Sequence, residues 1–159
     1  MVPKDDKLKI YLAASLHTDE LKSRIRTVVN YLRENGHEVY SPMELKIPNA
    51  WDISNREWAR KVYDNDVAEL TKADIIVCIY NGFNFAGGTG TAWELGFARA
   101  QNKDVIVLCT DIKAKQSLMI VNSGRVVIPF DNYKEALIIY QNLEYSNDQY
   151  IHPDLQDQS

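Results

Sequence analysis

Two acidic residues sit in settings that ask for a chemical explanation. Glu94 lies within the run GGTGTAWELG (87 to 96), where glycines at 87, 88 and 90 surround Thr89 as the chain turns from strand to helix. Glycines at such a turn let backbone come close to a ligand. The N–H groups of Gly88, Thr89 and Gly90 could equally cradle a phosphate. A carboxylate at a helix N-terminus is stabilised in its ionised form by the peptide dipoles, which would leave Glu94 able to attack an electrophile. The same residues have a purely structural reading: Thr91 as N-cap and Glu94 at the third helical position make a capping box. The loop has no P-loop lysine, and GGTGTA is not the dinucleotide fingerprint.

The second residue is Asp66. At about 100° per residue, Trp58, Ala59, Val62, Tyr63, Leu70 and Ala73 form one apolar stripe along a helix. Arg60, Asp64, Thr71 and Lys72 fall on the opposite, solvent side. Asp66 falls inside the stripe, one turn after Val62 and one turn before Leu70. A carboxylate there must be paired, hydrogen-bonded or facing a polar cavity. It is either a satisfied buried aspartate or one that looks into a ligand pocket, whereas Asp64 reads as a solvated surface charge.

The elements that must position these two are legible as an alternation. LKIYLAAS (8 to 15), HEVYSP (37 to 42), DIIVCIY (74 to 80), DVIVLCT (104 to 110) and RVVIPF (125 to 130) read as short apolar strands. Between them lie helical patterns: one capped by Thr18 and stopped by Gly36, one opened by the capping box Ser54 and Glu57, one over 91 to 102, a short one near 113 to 124, and one over 132 to 143. Five such units with short loops predict an α/β fold, a single doubly wound, flavodoxin- or Rossmann-like parallel sheet of five strands flanked by helices. Ligands bind such sheets outside the carboxyl ends of the strands, here residues 13 to 18, 41 to 53, 80 to 90 and 109 to 117. The expected domain covers 1 to 146, and the polar stretch 147 to 159 is assigned no structure.

The totals exclude several classes of function. The chain has 159 residues, 45% apolar and 25% charged, as ordinary globular domains do. A net charge of −4 gives no field for nucleic acid or anionic membrane. No apolar run reaches the roughly 18 residues of a spanning helix, and the N-terminus MVPKDDKLK lacks a signal peptide's apolar centre, so a cytoplasmic location is expected. Cys78 and Cys109 lie in or beside apolar strands and read as buried free thiols. His17, His37 and His152 are scattered without metal-binding or triad spacing, and neither a metal nor a cofactor is expected. Trp51 and Trp58 read most simply as core, although Trp51, in an irregular loop, could stack on a ring; Trp93 reads as packing.

The stretches KIYLAAS, YDNDVAELTKADIIVCIY, GTGTAWELGFARAQNK and SLM, in this order between about residues 9 and 140, resemble the nucleoside 2-deoxyribosyltransferase family. That family also includes 2′-deoxynucleoside 5′-phosphate N-hydrolases. The specific part is G-T-A-aromatic-E-L-G coupled to N-D-x-x-x-L, with Asp66 28 residues before Glu94. The resemblance implies that Glu94 is a nucleophile. It attacks the anomeric carbon of deoxyribose and forms a covalent glycosyl-enzyme, in a retaining double displacement. It implies that Asp66 assists proton transfer at the departing base and that Tyr11 holds the nucleophile. The substrate would be a small deoxynucleoside or deoxynucleotide, and the acceptor a free nucleobase or water. Two carboxylates around one sugar should repel, and Asp66, as the acid, is the better candidate for the raised pKa.

Departures from the family pattern matter as much. Transferases commonly carry an aspartate six residues before the nucleophile to contact the base, and here that position is Gly88. Base recognition would have moved, with Asn81 and Asn84 as candidates. The first loop reads Ala14-Ser15 where Gly-Pro is common, which makes Ser15 a candidate contact. The turn Ser117-Leu118-Met119 stands where transferases read Asn-Leu-Met, a segment that reaches into a neighbouring subunit's site and touches the sugar 5′-hydroxyl. A homo-oligomer is therefore implied, with Ser117 and Met119 completing a partner's site. Serine there matches the N-hydrolases, where it contacts a 5′-phosphate. The expected substrate contacts are thus Gly88, Thr89, Gly90, Ser15, Trp51, Ser117 and Met119. Transfer leads, hydrolysis of a deoxynucleoside 5′-monophosphate is the alternative, and a non-catalytic nucleotide sensor is a third reading. A flavodoxin-like electron carrier is disfavoured, because AASLHT offers little hydroxyl-rich loop for a flavin phosphate.

Overall fold

The computed structural model describes residues 7–82, 88–145 and 147–156. Asn84 and Gly87 lie outside these. The strands are β1 (Lys9–Ala14), β2 (Glu38–Tyr40), β3 (Ile75–Tyr80), β4 (Asp104–Cys109), β5 (Val126–Pro129) and β6 (Tyr150–Ile151). The helices are α1 (Asp19–Glu34), α2 (Asn55–Lys72), α3 (Thr89–Ala100), α4 (Leu118–Ser123), α5 (Tyr133–Asn142) and α6 (Pro153–Gln156). All pairings are parallel, in the order β2-β1-β3-β4-β5-β6. The chain winds from β1 outward to β2, then crosses to β3 on the other side of β1, so the order reverses at the β1/β3 boundary. Doubly wound sheets bind ligands at that switch point.

Both faces of the sheet are covered, which is why its central strands read as unbroken apolar runs. On one face Ile10, Leu12, Ile75, Val77, Ile79, Ile106 and Leu108 meet α1 and α5. Helix α1 buries Leu21, Ile25, Val28, Val29 and Leu32, the five residues whose spacing predicted its inner stripe, with Thr18 capping it and Gly36, at φ +90°, following its end. On the other face Tyr11, Ala13, Ile76, Cys78, Tyr80, Val105, Val107 and Cys109 meet Leu70 and Ala73 of the second helical segment and Leu95 and Ala98 of α3. No helix among the described residues is long and apolar enough to cross a membrane.

Three expectations change. The sheet has six strands, because the polar C-terminal stretch is not structureless: Tyr150 and Ile151 pair with Val126 and Val127. Leu155 of α6 is buried beside Val127 in the second core cluster. The guanidinium of Arg125 donates to the carbonyls of Tyr145 and Asp148, tying the stretch to the start of β5. Helix α3 begins at Thr89, with Gly88 as its N-cap, rather than at Thr91. Glu94 is then in the second helical turn and no capping box forms. Finally, only Leu70 of α2 is buried. The first half of that apolar stripe stands off the sheet.

Candidate active site

Helix α2 begins with Ser54, whose hydroxyl accepts from the Glu57 amide at 3.1 Å. It is anchored on the sheet only near its C-terminal end, through Leu70 and the adjoining Ala73. Upstream of that anchor its apolar stripe faces α3 across an open cavity of about 540 Å³. Trp58, Val62, Tyr63 and Val67 form one wall and Thr89, Gly90 and Trp93 the other, with Asp66 and Glu94 as its acidic residues. The two carboxylates singled out by sequence therefore face one space. Asp66 interrupts its stripe because the stripe lines a cavity rather than a core. Trp58 and Trp93 are 45% and 46% exposed, so Trp58 is not core; Trp93 stacks on Phe97 at 5.2 Å and approaches Tyr63 at 5.6 Å.

Each carboxylate is held by a tyrosine from the sheet. The hydroxyl of Tyr11, on β1 and wholly buried, donates to Glu94 Oε2. The hydroxyl of Tyr40, the last residue of β2, donates to Asp66 Oδ1 at 2.7 Å. Tyr40 in turn accepts from Asn65 Nδ2 at 2.7 Å. Tyr11 and Tyr40 are register partners on neighbouring strands, and their rings lie 5.4 Å apart. The pair arises because residues opposite one another in a parallel sheet present side chains to the same face.

Burial dominates the electrostatics. It raises the pKa of Glu94 to about 7; the Tyr11 bond offsets part of this and the nearby Asp66 charge adds to it. Asp66 is also raised by burial, against the Tyr40 bond, but less. The expectation that Asp66 carries the larger rise is thus reversed. Glu94 sits closer to the dry face of the sheet, beyond the reach of the helix N-terminus, where dipole stabilisation has faded. Both tyrosines are pushed well above the ordinary phenol range, burial first and the facing carboxylates next. Each therefore stays a hydrogen-bond donor. Near neutral pH the cavity therefore holds two carboxyl groups that both bind protons more tightly than usual, with Glu94 close to its own midpoint.

The other sequence candidates divide. Thr89 and Gly90 line the cavity, and a side chain at Gly90 would meet open space. Gly88 ends the loop as the α3 cap. Ser15, Trp51, Ser117 and Met119 lie outside the lining. Ser15 is buried after β1, its Oγ 3.0 Å from His17 Nδ1. Trp51 is fully exposed in a short 3-10 turn, so it is neither core nor part of this wall. Ser117 caps α4, and Met119 is 81% exposed. Asn81 is occupied, its Oδ1 accepting from the Thr110 hydroxyl at 2.7 Å. Gly82 beside it has φ +99°, and a Cβ there would stand 2.9 Å from that of Ala114, so this turn needs glycine. Sequence reasoning missed Tyr40 and Asn65. Their signal was present: Tyr40 ends a strand at the ligand-binding edge, and Asn65 precedes the displaced aspartate.

Known proteins share this fold. No curated protein matches the chain. Among solved structures, a 2-deoxyribosyltransferase from Bacillus psychrosaccharolyticus superposes with a TM-score of 0.71 at 29% identity, covering 89% of this chain and 98% of that one. A CMP N-glycosidase from Clostridium botulinum shares the fold at TM-score 0.55 and 22% identity, covering 85% and 99%. A conserved protein from Enterococcus faecalis does so at 0.57 and 19%, covering 92% and 82%. Residues 10–143 match the sequence profile described as nucleoside 2-deoxyribosyltransferase. With that match running from β1 to the end of α5, the chain belongs to the nucleoside 2-deoxyribosyltransferase family and is an enzyme of that kind, acting on small nucleoside substrates.

Proposed function

We propose that the chain cleaves the N-glycosidic bond of 2′-deoxynucleosides and transfers the deoxyribosyl group to a second base with retention of configuration. Glu94 attacks the anomeric carbon as the C–N bond breaks, giving a glycosyl ester on Glu94. Asp66 delivers a proton to the departing base. The incoming base attacks the same carbon, displaces the Glu94 carboxylate, and returns a proton to Asp66. Tyr11 fixes the attacking oxygen. The observation that carries this reading is the pair of tyrosine-held carboxylates, Glu94 and Asp66, turned into one cavity. The apolar walls suit a planar base, and Thr89 and Gly90 suit close passage of the sugar. Met119, exposed, and Ser117, half-buried, both outside the cavity of their own chain, fit a segment that completes the site of a second copy.

Hydrolysis of a deoxynucleoside 5′-monophosphate is the second reading, favoured by Ser117 standing as the N-cap of α4, its hydroxyl accepting from the Ile120 amide, at the ligand edge. One experiment separates them. The protein is incubated with each deoxynucleoside and deoxynucleotide, with and without free adenine, and the products are resolved by chromatography. Transfer gives deoxyadenosine, hydrolysis gives free base and 2-deoxyribose 5-phosphate with no new nucleoside, and Glu94→Ala should abolish both by at least about a hundredfold. An intact glycosidic bond with every deoxy substrate would sink the proposal.

A further inference from the structure

We infer that Tyr40 and Asn65 form a positioning relay for Asp66, which sets the orientation and proton occupancy of that carboxylate; the inference rests on the proposed role of Asp66 as the proton donor. The relay is continuous: Asn65 Nδ2 donates to the Tyr40 hydroxyl at 2.7 Å, and that hydroxyl donates to Asp66 Oδ1 at 2.7 Å. With its lone pair engaged by Asn65, the hydroxyl has a defined direction for its proton, toward Asp66. Oδ1 is thereby committed, and Oδ2 is left as the oxygen that carries a proton into the cavity. Tyr40 is anchored at the end of a strand, and its ring lies 5.4 Å from that of Tyr11, which holds Glu94. The sheet thus supplies one rigid two-ring element that spaces the attacking carboxylate from the proton-bearing one, and α2 supplies both Asn65 and Asp66 from adjacent positions.

The charged and titratable groups facing this point come from four elements. Tyr40 comes from β2, Tyr11 from β1, Glu94 from α3, and Glu69, one helical turn beyond Asn65, from α2 itself. None of these is a cation, and Glu69 itself pairs with Lys72 on the same helix, so hydrogen bonding by Tyr40 is what favours the ionised form of Asp66 against its burial. Removing the Tyr40 hydroxyl must therefore raise the pKa of Asp66 and leave its orientation loose. A carboxyl group misplaced by about 1 Å loses roughly a hundredfold in rate.

The test is Tyr40→Phe, which keeps the ring against Tyr11 and removes the relay, with Asn65→Ala as a second variant that leaves Tyr40 in place. Base release is followed as a pH profile of kcat/KM, after circular dichroism confirms that both variants fold. The expected result is a fall in kcat of about ten- to a hundredfold for Tyr40→Phe. With it, the limb of the profile that Asp66 sets moves to higher pH. Asn65→Ala should move the limb less, in the same direction. A fall in rate with an unmoved limb, or a rate within about twofold of wild type, would overturn the relay. The proposed reaction fails separately: it falls if wild-type protein releases no base, or if Glu94→Ala is as active as wild type, irrespective of Tyr40.

Discussion

Glu94 illustrates how one side chain is asked to serve two ends. Its carboxylate must be charged to attack, yet it lies against the apolar face of the sheet, where burial raises its pKa to about 7. The native state therefore holds the proton more tightly than the unfolded chain, whose glutamates titrate near about 4.3. The stability this contributes is complete below that lower value and is lost as pH rises through about 7. Glutamine has the same shape and no proton to lose. Glu94→Gln should accordingly gain stability relative to wild type as pH rises from 5 to 8, by an amount on the order of 2 kcal/mol, while base release is abolished. Urea midpoints of the two proteins at both pH values measure this. A difference that does not change with pH would mean that Glu94 is not held in a dry setting. Asp66 follows the same sign, raised by burial against the bond from Tyr40.

At the scale of the element, the hand-over from α4 to β5 leaves no room for added volume. Gly124 ends α4, and a Cβ at that position would lie 2.8 Å from methyl groups of both Val107 and Val127, on the buried faces of β4 and β5. Neither valine can retreat, so Gly124→Ala should destabilise by about 1–3 kcal/mol, read as a lower urea midpoint at unchanged m-value. The elements themselves were legible wherever periodicity or a cap was strong. Thr18, Ser54 and the inner stripe of α1 gave their helices directly, and the five apolar runs gave five parallel strands. What periodicity could not carry was the destination of a stripe. The apolar face of α2 has the same spacing whether it meets a sheet or a cavity, so Trp58 read as core although it forms a wall. The start of α3 was misplaced for a related reason: Thr91 is a good cap by residue type, but Gly88 ends the turn three residues earlier. Asp66 and Glu94 were found because a carboxylate in an apolar stripe, or behind a glycine loop, is costly enough to need a cause. Tyr40 was missed because a tyrosine at a strand end is costly to nothing.

At the scale of the whole molecule, the polar stretch after α5 escaped the sequence reading because a two-residue strand leaves almost no periodic signal, yet it closes the sheet through Tyr150, Ile151 and Leu155. The opposite imbalance appears on α4. Leu118 and Met119 are 74% and 81% exposed beside the carboxyl edge of the sheet, apolar side chains that a single chain leaves in water. If this segment completes a partner's site, the protein is an oligomer whose catalytic centres combine Glu94 and Asp66 of one copy with Ser117 and Met119 of another. Combining two damaged proteins then tests the arrangement more sharply than damaging one. Glu94→Ala lacks its own nucleophile but keeps an intact α4 cap. A Ser117→Ala, Met119→Ala double variant keeps the nucleophile and should lose about tenfold in kcat/KM. Dissociated together and reassembled, the two should form mixed sites pairing an intact Glu94 with an intact Ser117-Met119 segment, and base release should rise well above the sum of the separate activities. Activity that stays at that sum, in a mixture shown by sedimentation to have exchanged subunits, would mean that each chain builds its site alone. The exposed residues on α4 would then belong to another surface.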